Sequence, residues 1–155
     1  PGVPRPGGLL DRFLARLIDG LILGVSVGVV SGVIRTISDG YLSWFITTVL
    51  AAVAYLAYFT LLEFGRGQTL GKQVLKLKVV GPDGVSLPTQ EQALRRNIWN
   101  AFSIAGVVPV IGSLVGGVAS LVAVIMIAVG INGDPVNRQG WHDRFAGGTR
   151  VLKIG

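Results

Sequence analysis

The longest charge-free run in this chain covers residues 97–133, and it constrains the fold more than any other feature. A straight helix of those 37 residues would measure over about 50 Å, whereas the hydrocarbon core of a bilayer is about 30 Å thick. Pro109 interrupts the run, and proline breaks helices because it removes a backbone hydrogen bond. We therefore expect two membrane segments, a short or tilted one over residues 95–108 and a full crossing over residues 111–131.

Two earlier segments also have the length of a membrane span. Residues 41–62 contain no charge, and aromatic side chains near both ends are typical of interface anchors. The uncharged run over residues 20–34 is too short to cross by itself, so the first span must begin near Arg12. We assign the first two spans to residues 12–35 and 41–63.

The composition agrees with a membrane protein. Half of the residues are hydrophobic, and 14% are charged, against roughly 25% in a soluble domain. We predict an all-α polytopic membrane protein, a small bundle of about four transmembrane helices in one domain over residues 9–155. Residues 1–8 form a flexible Pro/Gly lead-in, and because the chain starts at Pro1 without a methionine we expect further residues upstream.

The distribution of basic residues predicts the orientation. Cations outnumber acidic residues both in the loop over residues 64–94 with the adjoining Arg95 and Arg96 and in the tail over residues 132–155. The positive-inside rule then makes the loop, the tail and the amino terminus cytoplasmic, which requires an even number of crossings. We expect a multi-pass protein of the plasma membrane, of the bacterial inner-membrane type, whose basic face contacts anionic lipid headgroups rather than nucleic acid.

Two segments alternate in hydrophobicity like strands, "QVLKLKVV" at residues 73–80 and "TRVLKI" at residues 149–154. Both lie on the predicted cytoplasmic side next to glycine-rich turns. We predict a minor cytoplasmic β element beneath the bundle.

Thr89 and Gln92 match a capping box that starts a helix before the third span.

Asp19 lies where the first span enters lipid, so its charge needs a partner. Arg12 is seven residues away on the same helix face, and Arg16 is three residues away and within pairing distance. The favoured interpretation is a structural ion pair at the mouth of the bundle. The alternative is a titratable carboxylate on an ion or proton pathway.

Glycines recur every four residues in the first span, at Gly20, Gly24, Gly28 and Gly32, and small residues at this spacing let helices pack closely in lipid. The last span repeats the pattern at Gly112 and Gly116. We predict that the first and last spans are neighbours. A homodimer seam is the alternative.

No enzyme chemistry is predicted. His142 and Asp143 are adjacent, but no motif places a nucleophile beside them, and Trp141 is typical of an interface anchor. The absence of cysteine and the single histidine argue against a metal site, and "GRGQTLGK" lacks the spacing of a phosphate-binding loop. We expect no cofactor.

Four blocks, "RFLARLID", "GQTLGKQVLKLKVV", "LRRN" and "RQGWHDRFAGGTRV", occur in the order found in the RDD family of membrane proteins, which this chain resembles. The resemblance places the family arginine on Arg12 and its aspartates on Asp19 and Asp143. We expect Arg16, His142 and Arg144 to be supporting residues. The double glycine before Thr149 is a one-residue departure from the family pattern. If both termini are cytoplasmic, the three motif residues can form one cluster that closes the bundle.

The resemblance implies a fold more than a function, and two functions are open. The first is a small accessory or structural subunit of a larger membrane complex, whose glycine seams contact other subunits or a second copy. The second is a cation/proton antiporter in which Asp19 exchanges the ions. We favour the first because Asp19 is close to one membrane face, whereas transporters usually place coupling charges near the midplane.

Overall fold

Three long helices form the body of the protein, and short elements gather at one end of it. The computed structural model describes residues 5–101 and 111–154. The elements in chain order are β1 (Arg5–Pro6), α1 (Leu9–Ile37), α2 (Gly40–Arg66), α3 (Leu70–Val74), β2 (Leu77–Val80), α4 (Gln90–Asn97), α5 (Ile111–Gly133), α6 (Trp141–Phe145) and β3 (Arg150–Lys153).

The three long helices carry the apolar sequence. Within the described ranges, α1, α2 and the Leu114–Gly133 part of α5 are long and apolar enough to cross a membrane. The predicted spans over residues 12–35, 41–63 and 111–131 fall inside these helices. The predicted third span begins in α4 and in a 3₁₀ turn at residues 98–101, and the rest of it, with Pro109, lies outside the described residues. The count of four spans therefore stays a prediction.

Glycines at the ends of α2 allow the chain to turn sharply there. Gly40, the first residue of α2, has φ +64°, a left-handed conformation that turns the chain back directly after α1. Gly67 ends α2 with φ +71°, and its N–H donates to the Glu63 carbonyl at 2.9 Å. The chain then returns to the same end of the bundle at which α1 begins.

A small antiparallel sheet lies at that end, in the order β1, β3, β2. In its register Leu77 pairs with Lys153 and Val80 pairs with Arg150. The inner face of the sheet packs Leu77, Val79 and Val151 against Ala15 of α1. The predicted β element is present.

The structure corrects one strand boundary and confirms one helix start. Residues 73–76, which we predicted to be strand, complete α3 and then turn at Lys76, whose φ is +56°. Thr89 caps α4 as predicted, since its side chain accepts from Gln92 N and the Gln92 side chain accepts from Thr89 N.

The glycines of the first span, which we call the first glycine seam, have no neighbour within the described residues. A Cβ built at Gly20, Gly24, Gly28 or Gly32 would meet nothing there within 4 Å. The α1 and α5 helices do contact each other. In the last span, Gly116 of the predicted glycine pattern is buried. Contact of the first seam with another chain stays a prediction.

Candidate functional site

A chain of buried charges ties together the elements at the sheet end of the bundle. It alternates in sign from Lys72 through Glu63, Arg96 and Asp143 to Arg12. The five residues come from α3, α2, α4, α6 and α1, in that order. We refer to these five side chains as the ion chain.

Glu63 is the first of the two acceptors in the ion chain and lies between Lys72 and Arg96. Its side chain is fully buried in the last turns of α2. Oε1 accepts from Lys72 Nζ at 2.6 Å, and Oε2 accepts from Arg96 Nε at 2.8 Å and Asn97 Nδ2 at 2.6 Å. Charge-assisted bonds of this kind offset the loss of hydration that burial imposes on a carboxylate.

Asp143 is the second acceptor and is also fully buried. Oδ1 accepts from Arg96 Nη1 and from Thr149 Oγ1, and Oδ2 accepts from Arg12 Nη1 at 3.2 Å and from Gly140 N at 3.1 Å. Since Arg96 also binds Glu63, its guanidinium joins the two carboxylates.

Arg12 fastens the start of α1 to both neighbouring segments. Besides Asp143, it donates from Nε to the Gly7 carbonyl at 3.0 Å and from Nη2 to the Arg138 carbonyl. Arg138 has φ +52°, in the left-handed region that only a few per cent of non-glycine residues adopt. The loop between α5 and α6 thus presents a carbonyl to the guanidinium.

Asp19 does not join the ion chain. Its oxygens accept from Tyr58 Oη at 2.6 Å, Gly71 N at 2.8 Å and Thr69 Oγ1 at 2.6 Å, and the residue is fully buried. Three donors therefore hold the carboxylate against the start of α3. The close approach requires glycine at residue 71, where a Cβ would lie 2.1 Å from the Ala15 carbonyl oxygen.

Arg16 does not pair with Asp19, contrary to the prediction. Its guanidinium donates to Asn100 Oδ1 and lies over two rings, with Cζ 3.9 Å from the Phe59 centroid and 4.5 Å from the Trp99 centroid. The physical reason is that Asp19 already binds three donors from α2 and the α3 segment. Arg16 is left with a neutral amide and aromatic faces.

Burial and charge act in opposite directions on the acidic and basic members outside the spans. Burial alone would raise the pKa of Asp143, but Arg96, His142 and Arg12 bring this pKa well below its usual range. For Lys72 burial dominates, and its pKa is lowered although Glu63 opposes the shift.

The supporting residues divide into buried and exposed ones. His142 is buried with Nε2 3.9 Å from Asp143 Oδ2, and burial lowers its pKa to about 3, so it is neutral at pH 7. Arg144 is exposed and lies 3.6 Å from Asp134. The side chain of Trp141 donates to the Ala123 carbonyl at 3.0 Å, which joins α6 to α5.

The structure adds residues that the motif did not include. Glu63, Lys72, Arg96 and Asn97 are as buried as the motif aspartates or nearly so. A signal for them was present: Glu63 directly follows an uncharged span, and Lys72 and Arg96 lie in the blocks "GQTLGK" and "LRRN". Their pairing was not predictable, because charges in a loop are ordinarily solvated.

The fold and the site together define the class. Long apolar helices, with a charged cluster buried at one end of the bundle, are the structure of a multi-span integral membrane protein.

A comparison with protein families identifies the family within this class. Residues 6–147 match the RDD family, and the chain belongs to it. Neither the curated proteins nor the solved structures compared with the chain include a significant match. The family arginine and second aspartate form the Arg12–Asp143 pair of the ion chain, whereas Asp19 binds separately.

The site joins segments that are distant in the chain. It connects five elements through ionic bonds whose carboxylate oxygens all have donors. Within the described ranges no group of three or more metal-ligating side chains occurs.

Proposed function

We propose that this protein is a small accessory or structural subunit of a larger membrane complex, and that its ion chain stabilises the bundle. The observation that carries the proposal is the uncovered glycine face of α1. Gly24, Gly28 and Gly32 are exposed and, within the described residues, have no neighbour in the space where a Cβ would be. Faces of this kind allow a second helix to approach closely within lipid.

The state of the carboxylates supports a structural role for the cluster. Each oxygen of Asp19, Glu63 and Asp143 accepts at least one hydrogen bond from the protein. A carboxylate that exchanges ions must release such partners in each cycle. Carboxylates whose oxygens all accept hydrogen bonds from the protein favour a permanent structural role for the cluster.

Extraction in mild detergent at natural abundance tests the proposal. The expected result is a particle with a second, different membrane protein at fixed stoichiometry. Gly28→Leu should abolish this association because its side chain fills the seam, whereas Ser26→Leu should retain it. Ser26 is exposed on α1 roughly 160° around the helix from Gly28. A lone protein, or a particle made only of this chain, would contradict the accessory role.

A second candidate function is cation/proton antiport, which one observation favours. Asp19 and Glu63 line a cavity between the helices, so a buried carboxylate lies beside open volume. The test is Asp19→Asn in sealed vesicles, with Asp39→Asn in the exposed α1–α2 turn as the control. Loss of cation-driven proton flux in the first variant alone would establish the antiporter.

We further infer a plasma-membrane location with both termini in the cytoplasm. The exposed cations Arg66, Lys76 and Arg95 lie at the same end of the bundle as the ion chain, which supports this orientation. Because the chain contains no cysteine, labelling of Arg144→Cys and Asp39→Cys in intact cells has a clean background. An impermeant reagent should label Asp39→Cys alone, and labelling of Arg144→Cys would reverse the orientation.

A further inference from the structure

A cavity of about 200 Å³ lies between α1, α2 and α5, at the end of the bundle that holds the ion chain. Its lining combines charged residues of the site with apolar residues of α1 and α5, and we refer to these two groups of residues as the charged side and the apolar side. The apolar side is formed by Leu9, Phe13, Val124, Ile127, Ala128 and Ile131.

The charged side has an excess of cations. Arg12, Arg16, Lys72 and Arg96 line the cavity together with the carboxylates of Asp19 and Glu63. Adding the neighbouring Asp143 still leaves four cations against three carboxylates.

Arg16 is the one of these four cations that has no carboxylate in direct contact, and Asp19 likewise forms no ion pair among the described residues. Lys72, Arg96 and Arg12 all form ion pairs, whereas Arg16 has no carboxylate within 4 Å among the described residues. Its hydrogen bond goes to the neutral amide of Asn100. A guanidinium that faces a cavity of low polarity, with no carboxylate in direct contact, can bind an anion.

The apolar side opens toward the bilayer. Phe13 is 60% exposed and Val124 is 45% exposed, although both lie in helices that are apolar enough to cross a membrane. Exposed residues on such helices face lipid chains. The cavity therefore offers a cation near the membrane surface and an apolar path that leads into the hydrocarbon.

We propose that this cavity binds one anionic phospholipid, with its phosphate on Arg16 and an acyl chain between α1 and α5. Basic pockets between transmembrane helices are suited to anionic headgroups. The volume is sufficient for the phosphate region, since a cavity of about 150 Å³ accommodates benzene. The chain continues along the exposed faces of Phe13 and Val124.

The test measures binding of phosphatidylglycerol to the full chain in neutral detergent by native mass spectrometry. Phosphatidylglycerol should bind at one per chain, and phosphatidylcholine should bind at least about tenfold more weakly. Arg16→Gln should reduce phosphatidylglycerol binding about tenfold or more, because it removes a charge-assisted bond. Arg35→Gln, near the opposite end of α1, should leave binding unchanged.

A second pair of variants tests the cavity without altering its charge. Ala128→Trp should fill the apolar side and displace the lipid, whereas Val129→Trp, on an exposed face of α5, should not. This pair decides the proposal if Arg16→Gln does not fold. Equal binding of the two lipids, or unchanged binding in Ala128→Trp, would overturn the proposal. Full displacement of the lipid by millimolar inorganic phosphate would also overturn it, since the site would then be one for a soluble anion.

Discussion

Arg12 and Asp143 lie 131 residues apart in the chain, and Nη1 of Arg12 lies 3.2 Å from Oδ2 of Asp143. The contact joins the first turn of α1 to α6, which follows the last long helix. The start of the first span and the segment after the last one therefore lie at one end of the bundle. Arg96 of α4 extends the joint to Glu63 of α2, so four otherwise separate elements of the chain share one ionic connection.

The first prediction compares a buried glutamate with an exposed one. Glu63→Gln should lower the free energy of unfolding by about 3–5 kcal/mol, because it leaves Lys72 and Arg96 buried without one of their anions. Glu91→Gln should lower it by less than about 1 kcal/mol, since Glu91 and Arg95 are 70% and 50% exposed. Denaturant titration of both variants in the same detergent is the measurement. Equal losses would disprove a structural role for the ion chain.

The second prediction concerns the contact between α1 and α3. Gly71→Ala should destabilise the protein by about 1–3 kcal/mol, because its Cβ would lie 2.1 Å from the Ala15 carbonyl oxygen and α3 must move. Gly24→Ala is the control, since its Cβ enters open space. Thermal unfolding in detergent gives the comparison, and an unchanged midpoint for Gly71→Ala would contradict the close packing.

The third prediction isolates one hydrogen bond to Asp19. Tyr58→Phe removes a donor at 2.6 Å from a buried carboxylate and should cost about 1.5–3 kcal/mol of unfolding free energy. Tyr55→Phe should cost much less, because the Tyr55 hydroxyl makes no hydrogen bond within the described part of the chain. If the two variants unfold alike, the Tyr58 hydroxyl does not stabilise the Asp19 carboxylate.

The fourth prediction is a pH dependence that originates at His142. Its pKa falls from about 6.5 in the unfolded chain to about 3 in the folded protein. The unfolded state therefore binds more protons between these values, and stability must decrease as the pH falls from 6.5 toward 3. Between pH 6.5 and pH 5 the loss should be about 1.6 kcal/mol.

The matching variant for this pH effect is His142→Asn, which keeps a polar side chain but cannot gain a charge. Its stability should be nearly constant between pH 6.5 and pH 5, where carboxylates scarcely titrate. Chemical unfolding at the two pH values, for the natural chain and the variant, gives the result. A decrease of the same size in both proteins would assign the effect to other groups.

Local features of the chain predicted the parts of the fold that depend on neighbouring residues. Hydropathy located the three described membrane-crossing candidates, because the length of an apolar run sets whether it can cross a bilayer. The Thr89 cap and the presence of a small β element also followed from short patterns. The prediction of a strand over residues 73–76 was wrong, because alternating hydrophobicity does not distinguish a strand from a short helix followed by a turn.

Motif residues alone did not determine the site. The sequence by itself determined that charges border the spans, that Asp19 needs partners and that the chain resembles the RDD family. Only the tertiary structure showed that the partners of Asp19 are Tyr58, Thr69 and Gly71. It also showed that Glu63 pairs with Lys72 and Arg96. The reason is that a buried charge is stabilised by donors brought close in space, and their separation along the chain does not reveal that proximity.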